Sequence, residues 1–361
     1  MLDSSNSDAI VEHRASGLAV GAHGTMRIGV ICERKADFLF GPDDPRDLNS
    51  ELLSHEEEDA LLSGLRDAGH DVVRIGDGEK LLNRVGFWRN RCDLAFNLSV
   101  GYRGLDRKSH VPGLLEIAQM PYIGSGPYAL SLTRHKHHTK LVVQAAGVPT
   151  AASVLWTGSG REPALDVISY PAMVKPVAES SSIGITKKSV VHSPAQAREQ
   201  AQYVVATFKQ PALIETFVRG TEVEVPVMGS SGVQPLGVVG ITLDGIVVRG
   251  DAHLSSDAVY SDGYGFVTPV PGIDERALME AAERAAAALG IRDYGRIDFR
   301  VAEDGTPYFL EASTHPHIQM HSSFFVLAKQ RGLTYADMLD EIVSTAVRRL
   351  GLQSSQNSIS Q

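Results

Sequence analysis

Residues 294–314, YGRIDFRVAEDGTPYFLEAST, contain two strand-like apolar runs on either side of Asp304-Gly305, a pair that strongly favours a two-residue hairpin turn. With those two residues as the turn, positions that sum to 609 face each other, so Asp298 lies opposite Glu311 and Arg296 opposite Ser313. Like charges directly across a sheet repel, at a cost of up to about 1 kcal/mol. A divalent cation turns that cost into binding, because magnesium takes paired carboxylate oxygens together with substrate phosphates. The competing interpretation is an exposed, salt-linked edge on which Arg296 and Arg300 neutralise the acids. The hairpin alone leaves both open.

Upstream, strand-like and helix-like segments alternate. MRIGVIC (26–32) reads as a buried strand, ELLSHEEEDALLSGLRDAG (51–69) has apolar residues at helical spacing and a glycine stop, and HDVVRIG (70–76) is strand-like again. That is a βαβ unit, which CDLAFNLS (92–99), a helix around 110–119 and PYIGS extend into a parallel sheet with helices on its faces. A helical stretch at 126–146 leads to strands expected at 171–176, 183–188, 212–218 and 222–228, with one helix at 194–207. A Gly- and Asp-rich stretch (244–272), a helix (274–289), the hairpin and two further helices complete the chain. The fold class is α/β with α+β.

Composition narrows the function. A chain of 361 residues is too long for one core and predicts two or three lobes. A net charge of −9 argues against nucleic acid, whose binding needs clustered Lys and Arg. Cys32 and Cys92 form no CxxC pattern, so a reducing cytoplasm is the simpler expectation. No run of about 18 apolar residues predicts a membrane span.

In YPAMVKPVAESSSIGIT (170–186), Lys175 sits within an apolar strand and is followed by a Ser- and Gly-rich loop, Ser180 to Gly184. A buried lysine is costly unless it meets an anion, and a small-residue loop can cradle phosphate through its N–H groups. A plain surface turn is the more frequent explanation for a serine run. ALIETFVRGTEVEV (212–225) adds Glu215 at a strand end and Glu222 at the start of the next, a crossing able to meet a purine edge and ribose hydroxyls.

In this order the pieces resemble the ATP-grasp superfamily, most closely its D-alanine:D-alanine ligase branch, over roughly residues 90–349. FNLS…VPGLLEIAQMPYIGSGPYALSLTRHKHHTKLVVQAAGVPT and the three segments above carry the likeness. The resemblance implies a three-lobed ATP-grasp architecture: a leader (1–25), a Rossmann-like N-terminal substrate lobe (26–125), a central lobe (126–210), a C-terminal lobe (211–350) and a frayed tail (351–361), with ATP between the later two lobes. It implies ATP and Mg2+ as cofactors and small amino-acid-like carboxylate and amine substrates, joined through an acyl phosphate with release of ADP and phosphate. A homodimer is also implied. By motif, Lys136 and Lys175 would hold phosphates under the loop with Ser181, Ser182 and Gly184. Glu215 would accept from the adenine amine, Phe217, Val218 and Leu310 would line the base, and Glu222 would bind ribose. Asp298, Glu311 and Ser313 would face the metal, and Arg296 would stabilise the acyl phosphate.

The departures concern the substrate. Ser313 stands where the family has a metal-binding asparagine, Pro316 is followed by His317 instead of glycine, and NLSVGYRG lacks a first-lobe histidine. MRIGVICERKADFLFGPDD replaces the Gly-Gly-x-Ser-x-Glu start, and residues 244–270 contain no lysine. An efficient D-alanine:D-alanine ligase is therefore not expected, and Tyr260, His317, His321 and Ser322 become candidates for reading a different acceptor. His315, His317 and His321 lack the spacing of a helical metal site, and Lys136 in RHKHH (134–138) is accounted for by the nucleotide, so zinc is not required. GSGPYA (124–129) lacks the context of a dinucleotide fingerprint, and no GxxxxGK[ST] exists. The remaining competitor is an ATP-grasp nucleotide-binding protein with lost or regulatory activity.

Overall fold

The computed structural model describes residues 24–352 except 161 and 262, and the Tyr260 side chain also lies outside the described set. The expected leader and tail fall outside it but for residues 24–25 and 351–352. Four strands form an all-parallel sheet in the order Asp71–Gly76, Arg27–Ile31, Leu94–Asn97, Tyr122–Ile123. The helix His55–Asp67 starts where Ser54 and Glu57 satisfy each other's backbone: Glu57 N–H donates to Ser54 Oγ at 3.1 Å, and Ser54 N–H to Glu57 Oε2 at 2.6 Å. A helix that the periodicity did not reveal, Gly78–Arg89, is capped by Asp77, and only Leu81 of it is buried, which explains its weak pattern.

The C-terminal helix Tyr335–Leu350 returns to this first sheet, where Leu339, Ile342, Val343 and Ala346 share one core with Ile28, Val30, Leu61 and Leu65. Gly64 is the point of closest approach, since a Cβ there would stand 2.8 Å from Leu339 Cδ1 and 2.9 Å from the Tyr335 ring.

The middle sheet is antiparallel, in the order Ser153–Trp156, Ala212–Thr216, Ala172–Pro176, Val190–Val191. Its hydrogen bonding thus extends through Thr216, beyond the lobe boundary expected at 210/211. The strand expected at 183–188 does not form. Ile183 N–H donates to Ser180 O at 3.0 Å and Ile185 N–H to Ser182 O at 2.9 Å. Ser181, Ser182 and Gly184 have φ of +52°, +54° and +79°, which no extended ladder accommodates.

The third sheet runs Ile246–Val247, Val239–Leu243, Gly220–Gly229, Asp293–Ala302, Pro307–Ser313, with short strands Gln234–Pro235 and Tyr264–Val267 at its sides. Helix Glu275–Leu289, capped by Asp274, lays a buried face of Leu278, Ala281, Ala282, Ala285 and Ala286 on it. Gly220 is required where two strands touch: a Cβ there would lie 2.1 Å from the Val301 carbonyl oxygen.

The hairpin reaches the expected register by a different route. Ala302 N–H donates to Thr306 O at 3.0 Å, so three residues, Glu303, Asp304 and Gly305, form the connection, and Phe299 faces Phe309. A bulge between Asp298 and Phe299 restores the lost position, leaving Leu310 as the extra residue, and Asp298 meets Glu311 while Arg296 meets Ser313. Gly305 at φ +85° supplies the left-handed residue that such three-residue loops use.

Candidate active site

The middle and third sheets enclose a cavity lined by Lys136, Lys175, Ser181, Ser182, Glu215, Phe217, Val218, Glu222, Arg296, Asp298, Leu310 and Glu311, all expected from sequence. Lys175 extends from the strand Ala172–Pro176 and its Nζ lies 2.6 Å from Glu215 Oε1, on the adjacent strand. Lys140, from the helix Lys136–Ala145, pairs with Glu215 Oε2 at 2.7 Å and donates to Phe309 O at 3.2 Å. Burial would push the Glu215 carboxyl up, but Lys140 and Lys175 outweigh it and hold it at about 2. Burial alone would lower the Lys175 ammonium; Glu215 and Glu311 reverse that and keep it charged. Lys136 pairs with Glu311 Oε2 at 3.2 Å and also donates to the Glu179 carbonyl.

Three acids stand in a row across three strands of the third sheet, Glu224 beside Asp298 and Asp298 beside Glu311. Arg296 lies among them, with Nε 2.7 Å from Asp298 Oδ1, Nη2 2.8 Å from Asp298 Oδ2 and Nη1 3.2 Å from Glu224 Oε1. Burial pushes the Asp298 carboxyl up to about 7, with Glu224 and Glu311 adding to the shift against the pull of Arg296. The hard oxygens of Asp298 and Glu311, crowded with like charge, suit Mg2+, and the Ser313 hydroxyl is a weaker third donor. Glu224 was not singled out from the sequence. The only signal for it was the alternation in TEVEV, which places it on the same face as Glu222.

Other pairings are not evident from the sequence because their members come from distant segments. Arg300 donates to Glu222 Oε2 at 3.1 Å and to the carbonyls of Gly220, Gly250 and Ala252 at 3.1, 2.8 and 2.9 Å. Its guanidinium lies 4.6 Å from the Phe217 ring centroid, so Glu222 and Phe217 are set by one arginine. Ahead of the serine loop, Glu179 pairs with Arg107 at 2.9 Å and Arg134 at 3.1 Å, and Glu51 with Arg107 and Lys108 at 2.7 Å each and with Arg134 at 3.2 Å. This buried network ties the loop to the first lobe, as do Gly184 N–H on Asp47 Oδ2 at 2.9 Å and Lys108 on Ser180 Oγ at 3.3 Å. Gly184 does not line the cavity: a Cβ there would press into Phe208 and Pro176 at 2.8 Å.

Ser313, His317 and Ser322 line a second cavity that shares Ser181, Glu224, Arg296 and Glu311 with the first. Ser322 also caps the helix Ser323–Gln330, accepting from Phe325 N–H at 3.2 Å. Burial lowers His317, whose Nδ1 is 2.7 Å from Gln319 Oε1, and lowers the neighbouring His315 to about 3, so burial disfavours the charged form of both. His321 stands farther out, its ring 4.9 Å from Tyr264 and 5.3 Å from Phe266. In RHKHH, His135 stacks on His138 at 3.7 Å.

A family model described as D-ala D-ala ligase C-terminus matches residues 142–344. An uncharacterized protein of Sinorhizobium fredii is 29% identical over 342 residues, 90% of this chain and 98% of that protein. A D-alanine–D-alanine ligase of Aromatoleum aromaticum is 33% identical over 298 residues, 81% of this chain and 90% of that protein. The crystal structure of a D-alanine–D-alanine ligase from Bacillus anthracis complexed with ATP has a TM-score of 0.69 at 21% identity, covering 90% of this chain and 98% of that one. No helix among the described residues is long and apolar enough to cross a membrane.

Proposed function

Because the chain belongs to the D-alanine–D-alanine ligase family, we propose that it is an ATP-dependent, ADP-forming ligase that joins a small amino-acid-like carboxylate to an amine through an acyl phosphate, with D-alanine a poor substrate. ATP and Mg2+ are its cofactors. The observation that carries this reading is the convergence of Lys136, Lys175 and Arg296 with Asp298 and Glu311 in one cavity.

A carboxylate is a poor electrophile until its oxygen takes the γ-phosphoryl group of ATP. An amine nitrogen then bonds to the acyl carbon, the carbon–oxygen bond to phosphate breaks, and phosphate leaves with the bonding pair and the proton the nitrogen gives up. Charge builds on phosphoryl and carbonyl oxygens, where preset cations act without reorganisation. Lys136 and Lys175 supply such charges from the central lobe, their ammonium groups already oriented by Glu311 and Glu215. Arg296 serves the acyl oxygens. Asp298 and Glu311 would hold Mg2+, which neutralises phosphate charge when bound. Phe217, Val218 and Leu310 would flank the base and Glu222 the ribose. Glu215 remains the candidate for the adenine amine, although both its oxygens face lysines.

The poor use of D-alanine rests on Ser313, on His317 after Pro316, on the altered first-lobe start and on the lysine-free 244–270 stretch. Losing several buried partners of a small zwitterion costs about 1–3 kcal/mol each. The test is incubation with MgATP, a panel of D- and L-amino acids and hydroxylamine, which captures an acyl phosphate as a hydroxamate. ADP and hydroxamate should appear together with at least one acid, whereas D-alanine alone should give little dipeptide. Rapid D-alanyl-D-alanine formation at millimolar D-alanine would refute the specificity. No ADP release with any acid would leave a nucleotide-binding protein.

A further inference from the structure

The second cavity is open at both ends. Inward it meets the nucleotide cavity at Glu224, Arg296 and Glu311; outward it shares Val259, Tyr264 and His317 with a groove that runs to the surface. The groove passes between the first lobe, at Lys35, Ala36, Glu56 and Ala60, and the segment carrying Gln319 and His321. A single amino acid would fill the inner cavity and leave this groove unused.

The inner end is built for a hydrogen-bond donor. Glu224 is 4% exposed; its Oε1 faces Arg296 while its Oε2 is buried with no hydrogen-bond partner. Ser323 Oγ and His315 Nδ1, from the same cavity, are likewise buried without hydrogen-bond partners. An unsatisfied buried carboxylate oxygen costs about 1–3 kcal/mol or more, which an ammonium or amine arriving there would recover. By contrast, of the other two acids of this cavity, Glu51 has both oxygens engaged by Arg107, Lys108 and Arg134, and Glu311 is paired with Lys136, so neither is the receptor.

We infer that the acceptor is an elongated amine, of dipeptide length or longer, whose amino end is received by Glu224 and whose body leaves along the groove between the helix His55–Asp67 and residues 317–321. This rests on the ligase reading above and names its amine substrate. Asn49, Ser50 and Gln319 on its walls can meet a peptide backbone, and Ala36 and Ala60 leave the groove wide.

The experiment separates the inference from that reading. With the acid that gives most hydroxamate, ATP turnover is compared for glycine, Gly-Gly and Gly-Gly-Gly as acceptors, in the wild type and in Ala60→Trp and Ala36→Trp, both outside the catalytic cavity. The peptides should exceed glycine at least about tenfold in kcat/KM. Either tryptophan should remove most of that preference while hydroxamate formation and Tm stay unchanged; if one variant misfolds, the other carries the test. Equal use of glycine and the peptides, or a preference that both folded variants retain, would overturn the inference while hydroxamate formation leaves the ligase reading standing. Absence of hydroxamate with every acid would overturn both.

Discussion

Replacing Glu215 by glutamine keeps its shape and removes its charge, leaving Lys140 and Lys175 buried side by side without their shared counterion. The folded carboxyl sits at about 2 against an ordinary 4.5, a difference worth about 3 kcal/mol. Because the folded value is the lower one, this stability is fully present above the unfolded value and is lost as pH falls from there through the folded one. The wild type should therefore exceed Glu215→Gln by about 3 kcal/mol at neutral pH, in line with the roughly 3–5 kcal/mol that breaking a buried pair costs. By about pH 3.5 the gap should narrow by about 1 kcal/mol, as protonation of the unfolded state catches up. Urea unfolding of both proteins from neutral pH to about pH 3.5, followed by intrinsic fluorescence and repeated with far-UV circular dichroism to test whether the transition is two-state, gives the difference directly. A gap below about 1 kcal/mol at neutral pH, or one that widens on acidification, would refute the assignment of Glu215 as the shared counterion of the two lysines.

Glu311→Gln should lower ATP turnover at least about 100-fold and also lower Tm, since it removes a candidate metal ligand and the carboxylate paired with Lys136, a loss only partly offset by relief of the repulsion against Asp298; phosphate release and calorimetry check both. Lys175→Ala should raise the Kd for MgATP at least about tenfold by titration calorimetry, the value of a charge-assisted phosphate contact, while Lys140 still neutralises Glu215. Gly220→Ala should cost about 1–3 kcal/mol by urea unfolding, because its methyl carbon would fall 2.1 Å from the Val301 carbonyl oxygen and only backbone movement can relieve it. Near-normal stability in that variant would show that the two strands can separate at little cost.

Local chemistry in the sequence pointed to several residues of this candidate site, and the family resemblance supplied others, among them Lys136, Phe217 and Val218. Asp-Gly between two apolar runs announced a hairpin, and alternation put Asp298 and Glu311 on one face. The register came out right through two offsets that cancel, a three-residue connection and a one-residue bulge. Lys175 was legible because a lysine inside an apolar strand demands an anion, and the Ser- and Gly-rich run after it because the N–H groups and hydroxyls of a small-residue loop can turn toward phosphate. What stayed hidden depends on which distant segments meet. Glu215 became the partner of Lys140 and Lys175 only when a strand and a helix packed together. Glu224 became a candidate receptor only when the third sheet set it beside Arg296. The network of Glu51, Arg107, Arg134 and Glu179 joins residues up to 128 positions apart. Periodicity and turn chemistry report interactions within a few residues along the chain; pairing between buried charges is decided by burial, which removes water as their alternative partner and exists only once the lobes have closed on one another.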